Sequence, residues 1–224
     1  MTPVLHMISD RDRHQLPLIE ALSEAAEGGA DVIQIRDKKM PVLRTLELVK
    51  NLKENLNRLH LATKIFVNDR MDLALAEKLD GVHLAAQSLP VATAHALRNQ
   101  LKWQGMLGCS VHSLEDAMFA ENAGADYVTF GHVFPSVSHP QLAPRGLAAL
   151  SLVVEKLSIP VLAIGGIDEK NVESVLATGC SGVAVIGAVL DAENPKEAAY
   201  RLKQTMLACH IAPKTPFFKK ENER

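Results

Sequence analysis

The chain has 224 residues, of which 47% are hydrophobic, and its formal net charge is −2. This length and apolar content suit one larger domain with a substantial core, while the small net charge excludes a general attraction to nucleic acid or to anionic membranes. We therefore expect a small-molecule partner, no nucleic acid and no membrane.

Three cysteines, Cys109, Cys180 and Cys209, are widely spaced in the sequence. Their number and spacing fit neither a disulfide framework nor a zinc site, so a reducing environment is expected. The first residues leave no room for a signal peptide, and no apolar run reaches about 18 residues. These features predict a cytoplasmic protein.

Short apolar runs alternate with longer amphipathic segments along the whole chain. The segments from Leu16 to Ala26 and from Leu43 to Lys53 repeat apolar residues at helical spacing. The apolar runs are nearly continuous in Val, Ile and Leu, which is typical of strands covered on both faces. Eight strands are predicted: Val4–Ser9, Asp31–Arg36, Lys64–Asn68, Gly81–Leu84, Met106–Ser110, Tyr127–Phe130, Pro160–Ile164 and Gly182–Ile186.

A short glycine-containing sequence precedes every second predicted strand, at Gly29–Val32, Leu79–Val82, Gly124–Tyr127 and Gly179–Val183. Glycine at the end of a helix can adopt the left-handed conformation that ends it. Such a repeat predicts an α/β fold, a single-domain (β/α)8 TIM barrel over residues 1–208. A doubly wound sheet is the alternative, but it offers no reason for evenly spaced units. Residues 209–224, with two prolines and dense charge, are expected to form a flexible extension.

In such a barrel the active site lies at the carboxyl ends of the strands. Gly166, Ile186 and Gly187 follow the seventh and eighth strands, where unobstructed backbone N–H groups commonly hold phosphate. Glycines that merely end strands are the alternative. Arg36 and Lys38, two residues apart after the second strand, are candidates for a carboxylate or a second phosphate, unless they belong to a solvated basic loop.

Two histidines, His112 and His132, stand at strand ends on the predicted active face, and His139 lies farther along the loop after strand six. The other histidines, including His6 and His83 within strands, are expected to fill the core or the surface. A histidine at a strand end is by itself more often a neutral hydrogen-bonding group than a catalyst.

Several motifs in order along the chain resemble those of the thiamine-phosphate synthase superfamily. They are Q-I-R-D-K from Gln34, V-N-D-R-M-D-L-A from Val67, D-G-V-H-L from Asp80, G-C-S-V-H-S from Gly108, G-A-D-Y-V from Gly124 and I-G-G-I from Ile164. The resemblance extends to about residue 205 and implies the same barrel fold.

One activity of the superfamily is the magnesium-dependent synthase, which joins a pyrimidine pyrophosphate to a thiazole phosphate. The resemblance assigns one magnesium-binding aspartate to Asp69, but the second falls on Leu89, and a hard dication needs several oxygen ligands. In the loop after strand six, the synthase's first proline is replaced by His132 and its lysine by His139. These departures count against the synthase.

The F-G-H-V-F sequence from Phe130 is similar to the other branch, the thiazole tautomerases. That resemblance implies isomerisation of 2-carboxy-4-methylthiazol-5-ylidene ethyl phosphate to its aromatic isomer, with His132 carrying the proton, and no metal or other cofactor. Gly166, Ile186 and Gly187 would hold the phosphate, Arg36 or Lys38 the carboxylate, and Asn68 and Ser110 would orient the ring. A role for Asp37 in proton transfer stays open, and a homodimer is expected.

Two alternatives stay open at this point. One is a magnesium-dependent thiamine-phosphate synthase. The other is a non-catalytic barrel that binds a thiazole phosphate and regulates another process.

Overall fold

The structure, a computed structural model, describes residues 2–37, 39–85, 88–136 and 141–218. Eight parallel strands follow one another around a closed barrel, and the eighth pairs with the first. Both the (β/α)8 barrel and the eight predicted strands are confirmed, with strand ends within about one residue of those predicted. The strands are β1 (Val4–Ile8), β2 (Val32–Ile35), β3 (Lys64–Asn68), β4 (Gly81–Leu84), β5 (Met106–Val111), β6 (Tyr127–Gly131), β7 (Val161–Ile164) and β8 (Gly182–Val185).

Helices separate consecutive strands and follow the last one. The fifth helix is capped at its start by the Ser113 hydroxyl, which accepts a hydrogen bond from the N–H of Asp116. The ninth helix is capped by the Asn194 side chain, and Pro195 is its first residue. The helices are α1 (Leu18–Glu27), α2 (Val42–Arg58), α3 (Met71–Ala76), α4 (Val91–Gln100), α5 (Leu114–Asn122), α6 (Gly146–Lys156), α7 (Val172–Leu176), α8 (Gly187–Leu190) and α9 (Pro195–Ala208).

The strands are almost entirely buried, as expected where helices cover the outside and side chains fill the inside. The barrel interior is partly polar: His6, Gln34, His83 and Thr129 are all at most 2% exposed. Buried polar groups require hydrogen-bond partners, and these side chains bond to one another below the active-site face.

Residues 211–218 of the C-terminal segment pack against the barrel, whereas the composition predicted a flexible extension. The ring of Phe217 is 3% exposed and joins Val4, Phe66 and Tyr127 in an apolar cluster at the amino-terminal end of the strands. The Ser181 hydroxyl donates to the Thr215 carbonyl at 2.7 Å. The charge-rich composition suggested solvent exposure, whereas one apolar ring that closes the barrel holds the segment in place.

No helix in the described part of the chain is both long and apolar enough to cross a membrane. The expected homodimer stays a prediction.

Candidate active site

A cavity of about 870 Å³ opens at the carboxyl ends of the barrel strands. Seven of the eight residues proposed from the sequence line it, and Lys38 lies outside the described residues. The strand-end rule therefore placed residues from six different strands around one cavity. The seven are Arg36, Asn68, Ser110, His132, Gly166, Ile186 and Gly187.

His132 directly follows β6, and hydrogen bonds fix the backbone on both sides of it. Its carbonyl accepts a hydrogen bond from the N–H of Arg145 at 2.9 Å, and the next N–H, of Val133, donates to the Ile164 carbonyl at 2.9 Å. The preceding carbonyl, of Gly131, is 2.7 Å from Nδ1 of His112. His112, which was considered from the sequence, thus supports the backbone next to His132.

The His132 side chain is 6% exposed, and its Nε2 lies 3.1 Å from the carbonyl oxygen of Leu142. Because a carbonyl only accepts hydrogen bonds, Nε2 carries the proton in the neutral ring. Nδ1 is then the ring nitrogen of neutral His132 that carries no hydrogen.

The two glycines after β7 make room for the loop that carries His132. A Cβ on Gly165 would lie 2.3 Å from Cβ of His132, and a Cβ on Gly166 would lie 2.4 Å from the carbonyl oxygen of Pro135. Both glycines have positive φ, +102° and +67°, which side chains strongly disfavour. The predicted phosphate loop and the His132 loop are therefore packed directly on each other.

Arg13 was missed by sequence reasoning. It lies in the loop between β1 and α1, and its guanidinium approaches Gly187 so closely that a Cβ there would be 2.3 Å from Nη2. Nε of Arg13 donates to Oδ1 of Asp191 at 3.0 Å, and this hydrogen bond raises the pKa of Arg13. Nothing near Arg13 in the sequence signals this, because Asp191 is 178 residues away.

Arg36 is held by Ser9, a second residue that the sequence did not single out. The Ser9 hydroxyl accepts from the Arg36 N–H at 2.7 Å and donates to the Arg36 carbonyl at 3.0 Å. The adjacent Asp37 shapes its own loop: Oδ1 accepts from the N–H groups of Lys39 and Met40, and Oδ2 is 2.9 Å from Nε of Arg11. Asp37 is not among the residues that line the cavity.

Two buried histidines lie at the base of the site, and one of them, His83, also lines the cavity. Burial lowers the pKa of His6 to about 3, and burial together with the charge of Arg36 lowers the pKa of His83 to about 4. Both rings are therefore neutral near pH 7. His6 contacts Gln34 at 2.9 Å, and His83 contacts Tyr127 and Ser110, so the expectation that these two histidines belong to the core is confirmed.

In the part of the chain that the structure describes, the residues do not fit the magnesium site of the synthase. Oδ2 of Asp69 accepts from Nδ2 of Asn68 at 2.5 Å, and Oδ1 accepts from the Ala85 N–H and the Ser88 hydroxyl. Leu89 provides no oxygen, and among the described residues no cluster of three His, Cys, Asp or Glu side chains could hold a metal. Asp69 serves the loop after β4 instead.

Comparisons with known proteins agree with the superfamily resemblance. A family described as thiamine monophosphate synthase matches residues 5–189. The thiamine-phosphate synthase of Pyrococcus furiosus is 42% identical over 193 residues, 86% of this chain and 90% of that protein, and that of Chlorobium phaeobacteroides is 40% identical over 205 residues, 91% and 96%. A solved thiamine phosphate pyrophosphorylase from Pyrococcus furiosus covers 92% of this chain and 96% of its own, with a TM-score of 0.82 and 38% identity.

Proposed function

This chain belongs to the thiamine monophosphate synthase family, whose members are enzymes of thiamine biosynthesis that bind phosphorylated small molecules, and we propose that it acts as a thiazole tautomerase. The relatives above are named as synthases, so the comparisons favour the synthase over the tautomerase. The residues of the site carry the proposal.

The central observation is that His132 lines the cavity next to the predicted phosphate loop, in a position where the synthase pattern has proline. Around the barrel, Gly166 and Gly187 follow β7 and β8, whereas Arg36 and Asn68 stand at the ends of β2 and β3. In this barrel β3 lies opposite β7, while β2 is separated from β8 by β1 alone. A ligand with its phosphate at β7 and β8 would extend its ring and carboxylate across the cavity towards Arg36 and Asn68, and His132 lines the same cavity.

The proposed reaction moves one proton and three electron pairs. The bond between C2 and its hydrogen breaks and its electrons form the C2=N3 double bond, the N3=C4 double bond shifts to C4=C5, and the exocyclic double bond takes up a proton on its outer carbon as the ring becomes aromatic. Substrate and product contain the same atoms, so a proton carrier suffices. Imidazole can accept the first proton and return it, with Nδ1 of His132 as the basic nitrogen and Leu142 as the anchor of the other.

An assay of aromatisation tests this proposal directly. The ylidene phosphate is mixed with the purified protein, and the absorbance of the aromatic thiazole is followed with and without added Mg²⁺ and chelator. We expect acceleration that is independent of Mg²⁺. If the protein binds the aromatic product yet never accelerates its formation, the tautomerase proposal is wrong and the non-catalytic regulatory role is favoured.

Thiamine-phosphate synthase is the second candidate because two curated synthases share 42% and 40% identity with most of the chain. The occupied carboxylate of Asp69 and the leucine at position 89 weigh against it. Release of pyrophosphate from a pyrimidine pyrophosphate and a thiazole phosphate, dependent on Mg²⁺, would establish this activity. Without such release, the synthase is excluded.

A further inference from the structure

A column of hydrogen-bonded side chains crosses the barrel interior from its closed end to the cavity. The ring of Phe217 packs edge-on against Tyr127 with centroids 4.9 Å apart. The Tyr127 hydroxyl is 3.0 Å from Nδ1 of His83, and Nε2 of His83 is 2.8 Å from the hydroxyl of Ser110. Tyr127 is fully buried and His83 is 2% exposed, while Ser110 lines the cavity.

The direction of each hydrogen bond in this column follows from the chemistry of its members. Burial raises the pKa of Tyr127 well above its usual value, so the phenol keeps its proton, and Nδ1 of His83 is the acceptor that the described residues offer it. A neutral imidazole with an accepting Nδ1 carries its proton on Nε2. That proton is donated to Ser110, whose oxygen thereby accepts. The Thr129 hydroxyl is 3.4 Å from both Nε2 of His83 and the Ser110 oxygen, and it is placed to donate to Ser110 as well, which leaves the Ser110 hydrogen for another partner.

We propose that His83, held by Tyr127, is a positioning residue that makes Ser110 a hydrogen-bond donor to an acceptor on the ligand's ring, namely the 2-carboxylate. The proposal rests on the proposed substrate class. It assigns a specificity role to two buried residues, His83 and Tyr127. A ligand with a carboxylate would gain this hydrogen bond, and the same phosphate without it would not.

Two further features are consistent with hydrogen-bond donation from Tyr127 through His83 to Ser110. A Cβ on Gly108 of β5 would lie 2.0 Å from Cζ and 2.3 Å from the hydroxyl oxygen of Tyr127. Glycine at this position therefore provides the space that the phenol ring occupies. A second hydrogen-bonded series also ends at the cavity. Nε2 of Gln34 donates to Oδ1 of Asn68 at 2.8 Å, and the Asn68 amide nitrogen donates one hydrogen to Asp69 and has a second for a ligand.

The charge of the cavity wall agrees with an acceptor-rich ligand. Arg36 lines the same cavity, and it is near enough to His83 to lower the pKa of that ring. Ser110, Asn68 and Arg36 would thus present hydroxyl, amide and guanidinium donors. A carboxylate, which only accepts hydrogen bonds, satisfies such a set.

Binding calorimetry with two probes tests the role of His83. The probes are 2-(2-carboxy-4-methylthiazol-5-yl)ethyl phosphate and the same phosphate without the carboxylate. Ser110→Ala should reduce the preference for the carboxylated probe about tenfold, as expected for a hydrogen bond to a charged group. His83→Leu should reduce it about three- to tenfold, and His83→Gln, which can still donate, should retain most of it. His60→Leu, at an exposed position, is the control.

A double variant separates positioning from general damage. If His83 acts through Ser110, adding His83→Leu to Ser110→Ala should change the preference no further. Additive losses would overturn the proposal, as would an unmutated protein that binds neither probe or binds both equally well.

The tautomer of His83 provides a test that needs no variant. Nitrogen-15 NMR of the unmutated protein should show a protonated Nε2 and an unprotonated Nδ1, whereas a protonated Nδ1 would contradict the proposal. Neither measurement uses turnover. A protein that fails the aromatisation assay therefore overturns the tautomerase alone, and the donor role of Ser110 is decided separately.

Discussion

Gly165 leaves the space that His132 occupies: a Cβ at Gly165 would lie 2.3 Å from Cβ and 2.7 Å from Cα of His132. The predicted phosphate loop and the proposed proton carrier are thus in direct contact. A change at either position must disturb the other, because backbone cannot move aside as a flexible side chain can.

Gly165→Ala is expected to lower both stability and activity. Its positive φ and its clash with His132 should together cost about 2–4 kcal/mol of unfolding free energy, measured by urea denaturation. Gly146→Ala is the matched control, because Gly146 also has a positive φ but has no atom within 4 Å of the added Cβ. Equal losses in the two variants would show that contact with His132 contributes nothing.

His132→Asn should lower the rate of aromatisation by about 10²–10⁴-fold, the usual contribution of general acid–base catalysis. Affinity for the aromatic carboxylate phosphate should change little, because other residues are proposed to hold the phosphate and carboxylate. His60→Asn, at an exposed position with positive φ that Asn tolerates, should match the unmutated protein. A normal rate in His132→Asn with intact binding would remove His132 from the mechanism.

Phe217→Ala should destabilise the protein by about 3–5 kcal/mol, because it removes a buried ring that closes the barrel. Thermal or urea unfolding measures this loss. Phe218→Ala provides the comparison, since the neighbouring ring is 39% exposed and should cost much less. If both variants unfold like the unmutated protein, the C-terminal segment does not seal the barrel in solution.

Stability should fall as the pH drops from about 6.5 towards 4. The pKa of His83 is lowered to about 4 and that of His6 to about 3 in the folded state, so between these values and 6.5 the unfolded chain binds more protons. Each histidine then reduces stability by up to about 1.4 kcal/mol per pH unit. Urea unfolding at several pH values should show a shallower slope in His83→Gln, and an unchanged slope would indicate that His83 is protonated in the fold.

The sequence alone determined the barrel and the outline of the site. Runs of Val, Ile and Leu bounded by glycine turns are local signals of buried parallel strands. Eight such runs in regular alternation with amphipathic segments predict a single closed sheet covered by helices. Once the strands are assigned, the barrel rule brings Arg36, Asn68, Ser110 and His132 to one end, because parallel strands share their carboxyl edge. No long-range contact had to be known.

Only the tertiary structure decided the rest. The ion pair of Arg13 with Asp191, the closure of the barrel by Phe217 and the hydrogen bond from Tyr127 to His83 join residues far apart in the chain. No local pattern encodes such pairs, because each depends on which side chains face each other after the barrel closes. The charge-rich end of the chain looked flexible for the same reason: its main apolar contact, that of Phe217, is made with strands far from it in the sequence.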